Sequence, residues 1–273
     1  MDFIELTDEQ LKKLRKVHLE ILDEITRICN MHEIKFFLIG GSLLGAVRHQ
    51  GYIPWDDDLD IAMTRNDYDK FVELCKTNLS DKYYLDDIST NKKYWLPFIK
   101  IRKNGTLFKE KSNEHMHGIN RGIYVDVFPI DNIKTANGLM LKIQAYVTRS
   151  ITYTYMLKSK IKVNKSNILA QFLRIFSFKF LHKLQDFMCK LYNDKDTKYV
   201  TNFASRYNYK KEVFLRDDYY PAAEYNFEDR KILGVRNYDK YLTQVYGEYM
   251  ELPPQENRVN HSVVSLDFGS ENK

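Results

Sequence analysis

Residues 39–61, IGGSLLGAVRHQGYIPWDDDLDI, join a glycine turn to a run of aspartates that enters an apolar tail. Asp58 and Asp60 are two apart, and on a strand residues i and i+2 share a face. Asp56 has the same parity, so three carboxylates line one face while Leu59 and Ile61 point to a core. Like charges in a row are costly unless something positive neutralises them. A hard divalent cation with oxygen ligands, Mg2+ or Mn2+, is the usual answer. Gly40, Gly41 and Ser42 supply the complementary half. Two glycines let backbone approach an anion, and N–H groups at a helix N-terminus hold phosphate oxygens.

The pattern around this stretch predicts a short strand at 36–39, a helical turn at 42–48 and a strand at 58–63. Thr7 and Gln10 form a capping-box signature ahead of a helix over 8–31, whose apolar stripe includes His18 as a packed residue. A helix is expected at 66–79 and strands at 83–88, 95–102 and 106–109, with Asn104-Gly105 as a hairpin turn. A further strand at 122–128 is expected to end at Pro129, Asp131 and Asn132. Between 139 and 192 the chain reads as two or three helices, both apolar and basic. Residues 193–208 read as a polar loop, and the C-terminal part as mixed structure with a helix in NYDKYLTQVYGEYM. No repeat and no Pro-, Gly- or Ser-rich linker divides the chain. The expectation is one continuous α+β domain (core about 20–135 and 205–260) with a helical insertion at about 139–192 and a C-terminal extension.

A hydrophobic content of 44% over 273 residues supports a real core and argues against wholesale disorder. The net charge of +5 accompanies no RRM, KH, zinc-finger or helix-turn-helix signature, so no nucleic-acid partner is expected. Cys29, Cys75 and Cys189 are isolated and odd in number, the pattern of reduced thiols in a cytoplasmic protein. No signal-peptide core and no apolar run of about 18 residues appears. The basic apolar helices have two readings, a cap with its lysines in water or a surface resting on the anionic inner face of the cell membrane.

Asp126 lies mid-strand between Val125 and Val127 and needs a partner there. If its strand neighbours 58–63, it completes the cluster as a metal ligand or as a base. Arg48 offers a charged fork to a phosphate, or pairs with a cluster carboxylate. Lys100 and Arg102 share one strand face and either add positive charge to the site or lie exposed. Asp57, of opposite parity, reads as structural. His115 and His117 read as surface loop, and pattern alone assigns His261 no role. Trp55, Trp95 and Tyr124 are candidate liners of a substrate pocket.

A glycine-serine turn, an Asp-hydrophobic-Asp strand and a third Asp on a later strand resemble the nucleotidyltransferase-fold superfamily. GGSLLGAVRHQGYIPWDDDLDIAM is similar to its LicD/fukutin branch, and the likeness continues through FIKIRKNGTLFKE, GIYVDVFPID and YDKYLTQVYGEYMELPP. One departure is Asn237 before Tyr238, where many relatives have proline. The resemblance implies a mixed sheet flanked by helices with a metal site at its rim. It implies metal binding by Asp56, Asp58, Asp60 and Asp126, with Mg2+ or Mn2+ as cofactor. The implied reaction moves a substituted phosphate, such as phosphocholine or ribitol phosphate, from a CDP-linked alcohol donor to a hydroxyl of a surface glycan acceptor. Such acceptors include teichoic acid, capsule and lipopolysaccharide, and can be lipid-linked. Gly40, Gly41, Ser42, Arg48, Lys100 and Arg102 would bind substrate, and Asp58, Asp60 and Asp126 would carry the chemistry. Two further readings stand beside it, nucleotidyl transfer with release of pyrophosphate and a non-catalytic glycan- or nucleotide-binding protein.

Overall fold

The computed structural model describes residues 4–92, 94–111, 119–159, 161, 167–258 and 261–269. His115 and His117 lie outside the described residues, as do the lysines at 160, 162 and 165.

Helix α1 (Asp8–Met31) starts at Thr7, where both halves of the capping box form, and it buries Leu14, Ile21, Ile25 and Ile28 completely. His18 is buried in the same stripe. Desolvation pushes its imidazole down to about 3, so it is a neutral packed ring. Strand β1 (Phe37–Leu38) leads into α2 (Gly40–His49). Strand β2 (Asp60–Thr64) runs directly into α3 (Arg65–Asn78). Strands β3 (Tyr83–Asp86), β4 (Ile99–Lys103), β5 (Leu107–Glu110) and β6 (Tyr124–Ile133) follow. Then come three helices, α4 (Leu139–Lys158), α5 (Ile168–Leu173) and α6 (Phe178–Lys190). The chain returns to the sheet through β7 (Tyr199–Thr201), β8 (Val213–Leu215), α7 (Arg216–Tyr219), β9 (Ala223–Phe227) and β10 (Arg230–Gly234). It ends with α8 (Tyr238–Tyr246) and β11 (Val263–Asp267).

Among the described residues nine strands form one mixed sheet, ordered β3-β4-β6-β2-β1-β10-β9, with β7 and β8 extending from β6. The β2–β6 and β1–β10 pairs are parallel and the rest antiparallel, so this is an α+β fold with a mixed sheet. Helices α1 and α3 pack on each other and on β6, closing the main core. The three helices after β6 have a smaller core of their own around Ile151, Tyr155, Leu173 and Leu181. Polar contacts join them, as where Gln144 Nε2 donates to the Met188 carbonyl at 2.7 Å. No helix of the described residues is long and apolar enough to cross a membrane.

Three local expectations change. Asn104-Gly105 does turn, with Gly105 at φ +75°, but the flanking strands do not pair. β4 joins β3 and β6, while β5 leaves for a two-stranded sheet with β11. Pro129 does not stop β6. It falls in the gap between the β4 pairing, which ends at Val127, and the β7 pairing, which starts at Asp131, where a missing donor costs no ladder bond on that edge. The polar stretch 193–208 contains β7, recruited by β6 despite a weak local pattern. Asn237, where proline was the family expectation, is the N-cap of α8 and accepts from Lys240 N.

Candidate active site

The parallel β2–β6 pair and the antiparallel β4–β6 pair set one rung across the sheet: Asp60 opposite Asp126, and Asp126 opposite Lys100. Ordered strand begins only at Asp60, so Asp56 and Asp58 stand in the loop ahead of β2 rather than on it. The alternation nevertheless continues through that loop. Asp57, Leu59 and Ile61 are buried while Asp56, Asp58 and Asp60 line a cavity of about 580 Å3. The loop is held from outside, because Arg15 of α1 donates from Nη2 to the carbonyls of Ile53, Pro54 and Asp56.

Gly40 and Gly41 form the first turn of α2, not a loop before it, and both line the cavity. Gly40 has φ +55°, and its N–H donates to the Tyr241 hydroxyl at 3.1 Å. A Cβ on Gly41 would come within 2.9 Å of Asp56 Oδ2, and one on Gly40 within 3.3 Å of Asp60 Oδ2. The glycines therefore let backbone lie directly on the carboxylates. Ser42 faces inward instead. Its hydroxyl accepts from Asp60 N–H at 2.8 Å, tying α2 to β2, and it does not line the cavity.

The carboxylates strain against each other. Burial raises Asp56 well above the ordinary carboxylate range, and the charges of Asp58 and Asp57 raise it further. Burial does the same to Asp60, reinforced by Asp58, Asp126 and Asp56 and opposed by Lys100. Asp126 receives Lys100 Nζ on both oxygens, at 2.6 and 2.9 Å. Burial still raises it to about 6, with Lys100 pulling down and Asp58 and Glu110 pushing up. An all-oxygen donor set that burial and mutual repulsion make hard to ionise fits a hard divalent cation. As placed, no three His, Cys, Asp or Glu side chains among the described residues converge as a ligand group, and Asp126 gives both oxygens to Lys100. The chemistry of a cation site is present in Asp56, Asp58 and Asp60; a closed coordination shell is not.

The predicted cations are all engaged. Lys100 is buried against Asp126, with Nζ 3.4 Å from the Tyr124 ring centroid. Arg102 is buried and donates from Nε to Asp86 Oδ2 at 2.7 Å and from Nη1 to the Gly122 carbonyl. Both belong to the cavity wall rather than to an exposed strand face. Arg48 does not line the cavity. Its Nη1 donates to the carbonyls of Tyr249 and Glu251 at 2.6 and 3.3 Å, fastening the chain after α8.

Other liners carry no local signature in the sequence. Arg149 and Tyr153 come from α4, Arg206 and Tyr207 from the segment after β7, and Tyr246 from α8. The charge of Asp58 reaches Arg206, whose main upward pull comes from its bond to Tyr207. Trp95 and Tyr124 line the cavity, whereas Trp55 packs outside it beneath Arg258. Tyr94 Oη and Asp86 Oδ1 are buried in the cavity wall without a hydrogen-bond partner. The β5–β11 ladder carries His261 in beside Glu110. Its backbone N–H and Nδ1 meet Asp57, and Nε2 stands 3.8 Å from Asp58. Burial opposes its charge, yet the Asp57 bond and the charges of Asp58, Asp57 and Glu110 raise it to about 10. Asp57, structural by parity, is thus the anchor that holds a C-terminal imidazole over the cluster.

Residues 33–156 match the profile of the LicD/FKTN/FKRP nucleotidyltransferase domain. Within that span the chain resembles a LicD-family domain. The match encloses the glycine turn, the four carboxylates and Lys100, and ends inside α4. The chain is also 29% identical, over 262 residues, to the lipopolysaccharide cholinephosphotransferase LicD of Haemophilus influenzae, covering 93% of this chain and 96% of that protein. Two uncharacterised rickettsial proteins match shorter parts. RP689 of Rickettsia prowazekii is 44% identical over 71 residues (24% of this chain, 27% of that protein). RT0683 of Rickettsia typhi is 38% identical over 78 residues (26% and 25%). Arg206, Tyr246 and His261 lie beyond the LicD-family match, although they complete the cavity wall.

Proposed function

We propose that this chain transfers phosphocholine from CDP-choline to a sugar hydroxyl of a cell-surface glycan at the cytoplasmic face of the membrane. The observation that carries this reading is the placement of three mutually repelling carboxylates against a helix-starting glycine pair, on the wall of an aromatic cavity. The likeness to a lipopolysaccharide cholinephosphotransferase over nearly the whole chain supports the choice of transferred group and acceptor. Aromatic rings beside carboxylates also suit a quaternary ammonium.

Asp56, Asp58 and Asp60 would hold Mg2+ or Mn2+, which supplies charge neutralisation on the donor pyrophosphate. The backbone of Gly40 and Gly41 would approach donor phosphate oxygens, and Arg206 would offer a guanidinium from another part of the cavity wall. Tyr94 Oη and Asp86 Oδ1 offer a donor and an acceptor to polar atoms of a ligand. Asp126, at about 6, is suited to take the acceptor hydroxyl proton, with Lys100 fixing its two oxygens. The acceptor oxygen then bonds to the phosphocholine phosphorus, the bond to the bridging oxygen breaks, and CMP leaves.

A panel of CDP-choline, CDP-ethanolamine, CDP-glycerol and CDP-ribitol, with Mg2+ and with chelator, tests this reading. CDP-choline should raise the melting temperature most and yield CMP with a glycan acceptor, and chelation should abolish CMP release. Release of pyrophosphate from a nucleoside triphosphate would assign nucleotidyl transfer instead. Donor binding without turnover, at saturating Mg2+ and with acceptor present, would make the chain a binding protein.

A further inference from the structure

The insertion has two unlike faces. Toward the catalytic cavity α4 presents Arg149, Thr152, Tyr153 and Met156. Away from that lining, α5, α6 and the turn between them leave large apolar side chains in solvent: Ile168 is 82% exposed, Ile175 73%, Phe187 62%, Phe172 59% and Phe180 46%. Single exposed apolar residues are ordinary, but Phe172 and Phe180 are joined by the ring of Phe176 between them. Phe172 meets Phe176 edge-on, and Phe176 stacks on Phe180 at 4.7 Å between centroids, so three rings form one ridge. Phe180, Lys183 and Phe187 recur at helical spacing along α6, and Arg174, Lys179 and Lys183 are exposed.

The charge of this region is as uneven as its hydrophobicity. Between residues 139 and 190 there are ten lysines and arginines and one acid, Asp186. The whole chain has 42 bases and 37 acids, so acids are in the majority elsewhere. A protein partner of ordinary composition explains the rings but not a cationic excess concentrated in the same stretch of chain. An anionic bilayer answers both, because aromatic side chains enter the acyl boundary while flanking lysines stay at the headgroups.

We propose that the α5–α6 ridge, Phe172, Phe176 and Phe180 with Arg174, Lys179 and Lys183, seats the protein on an anionic lipid surface. Binding is peripheral, since no described helix can span a bilayer. The consequence for catalysis rests on the proposed function: with α4 packed against α5 and α6 and also lining the cavity, a seated molecule holds its cavity close to lipid-linked acceptors.

Flotation of the full chain with vesicles tests the seat without reference to activity. The wild type should float with equal mixtures of phosphatidylcholine and phosphatidylglycerol, release as salt rises, and stay behind with phosphatidylcholine alone. Lys179→Glu with Lys183→Glu should weaken binding about ten-fold or more and flatten its salt dependence. Phe172→Ser with Phe180→Ser should weaken it similarly while far-ultraviolet circular dichroism keeps its helical signal. CMP release on a water-soluble acceptor should stay unchanged in both variants, which separates failure of the seat from failure of the enzymatic reading. No flotation with anionic vesicles at low salt, or flotation untouched by either variant, overturns the proposal. A dimer in light scattering that Phe172→Ser dissolves would assign the ridge to a second copy of the chain and overturn it too.

Discussion

Asp126 and Asp131 lie five residues apart on β6, both buried and both gripped by a cation. An odd spacing puts them on opposite faces of the sheet. Asp131 takes Arg65 Nε and Nη2 at 2.7 and 2.9 Å and Asn193 Nδ2 at 2.8 Å, which satisfies it and locks the start of α3 to the sheet. Asp126 has its lysine too, but it shares the cavity with Asp56, Asp58, Asp60 and Glu110. One carboxylate is balanced and the other sits in a surplus. A buried pair with matched charge and full hydrogen bonding serves the fold. A buried carboxylate left in excess is a standing cost that suits a ligand bringing positive charge.

The strongest way to break this contrast is Asp58→Asn. It should lower CMP release from CDP-choline by about a thousand-fold or more, while removing a like charge leaves the urea midpoint unchanged or slightly raised. Near-normal turnover would remove the cluster from the chemistry. Asp131→Ala should do the reverse. Stranding Arg65 should cost about 3–5 kcal/mol in urea unfolding, with turnover per folded molecule preserved. Loss of turnover without loss of stability would erase the distinction between the two aspartates.

Glu212 refines it, being a buried carboxyl on the cavity wall that has no cation among its pulls. Burial raises it from an ordinary 4.5 to about 7, against the pull of its bond to Ser205. The folded state therefore holds the proton more tightly than the unfolded chain. This contribution to stability is fully present below pH 4.5 and is lost as pH rises through 7, an effect of up to about 3 kcal/mol. Glu212→Gln should flatten the pH dependence of urea unfolding across that window. The smallest effects separate two arginines. Arg48→Ala should cost about 1 kcal/mol of stability through its carbonyl contacts and leave the donor KM alone. Arg206→Ala should leave stability alone and raise the donor KM about ten-fold. The opposite outcome would return the phosphate to Arg48.

Local pattern made much of this legible. The capped helix at 8–31 and the parity that separates Asp57 from its neighbours come from short-range spacing, whereas the place of Asp126 in the cluster depended on β6 lying beside β2. Even where β2 starts later than expected, the alternation from Asp56 to Ile61 survives, because burial of Leu59 and Ile61 drives it rather than strand hydrogen bonding. Partners from distant segments were not legible. Nothing in a polar tail marks His261 as the imidazole over Asp57 and Asp58, and nothing in residues 193–208 marks Arg206 as a cavity residue. Lys100 and Arg102 showed their shared face, but not that Asp126 and Asp86 already take their charges.

Residue type and spacing alone set the inventory of the site: glycines that admit backbone to carboxylates, aspartates in alternating register, and basic apolar helices later in the chain. These follow from covalent spacing and side-chain type, which act within a few residues. Which charges are cancelled and which remain was settled in three dimensions, because that depends on cross-strand register and on distant segments, with Asp57 and His261, for example, 204 positions apart. In three dimensions, too, the three helices after β6 bring α4 side chains to the cavity and leave aromatic rings of α5 and α6 in solvent, an asymmetry that only packing can create.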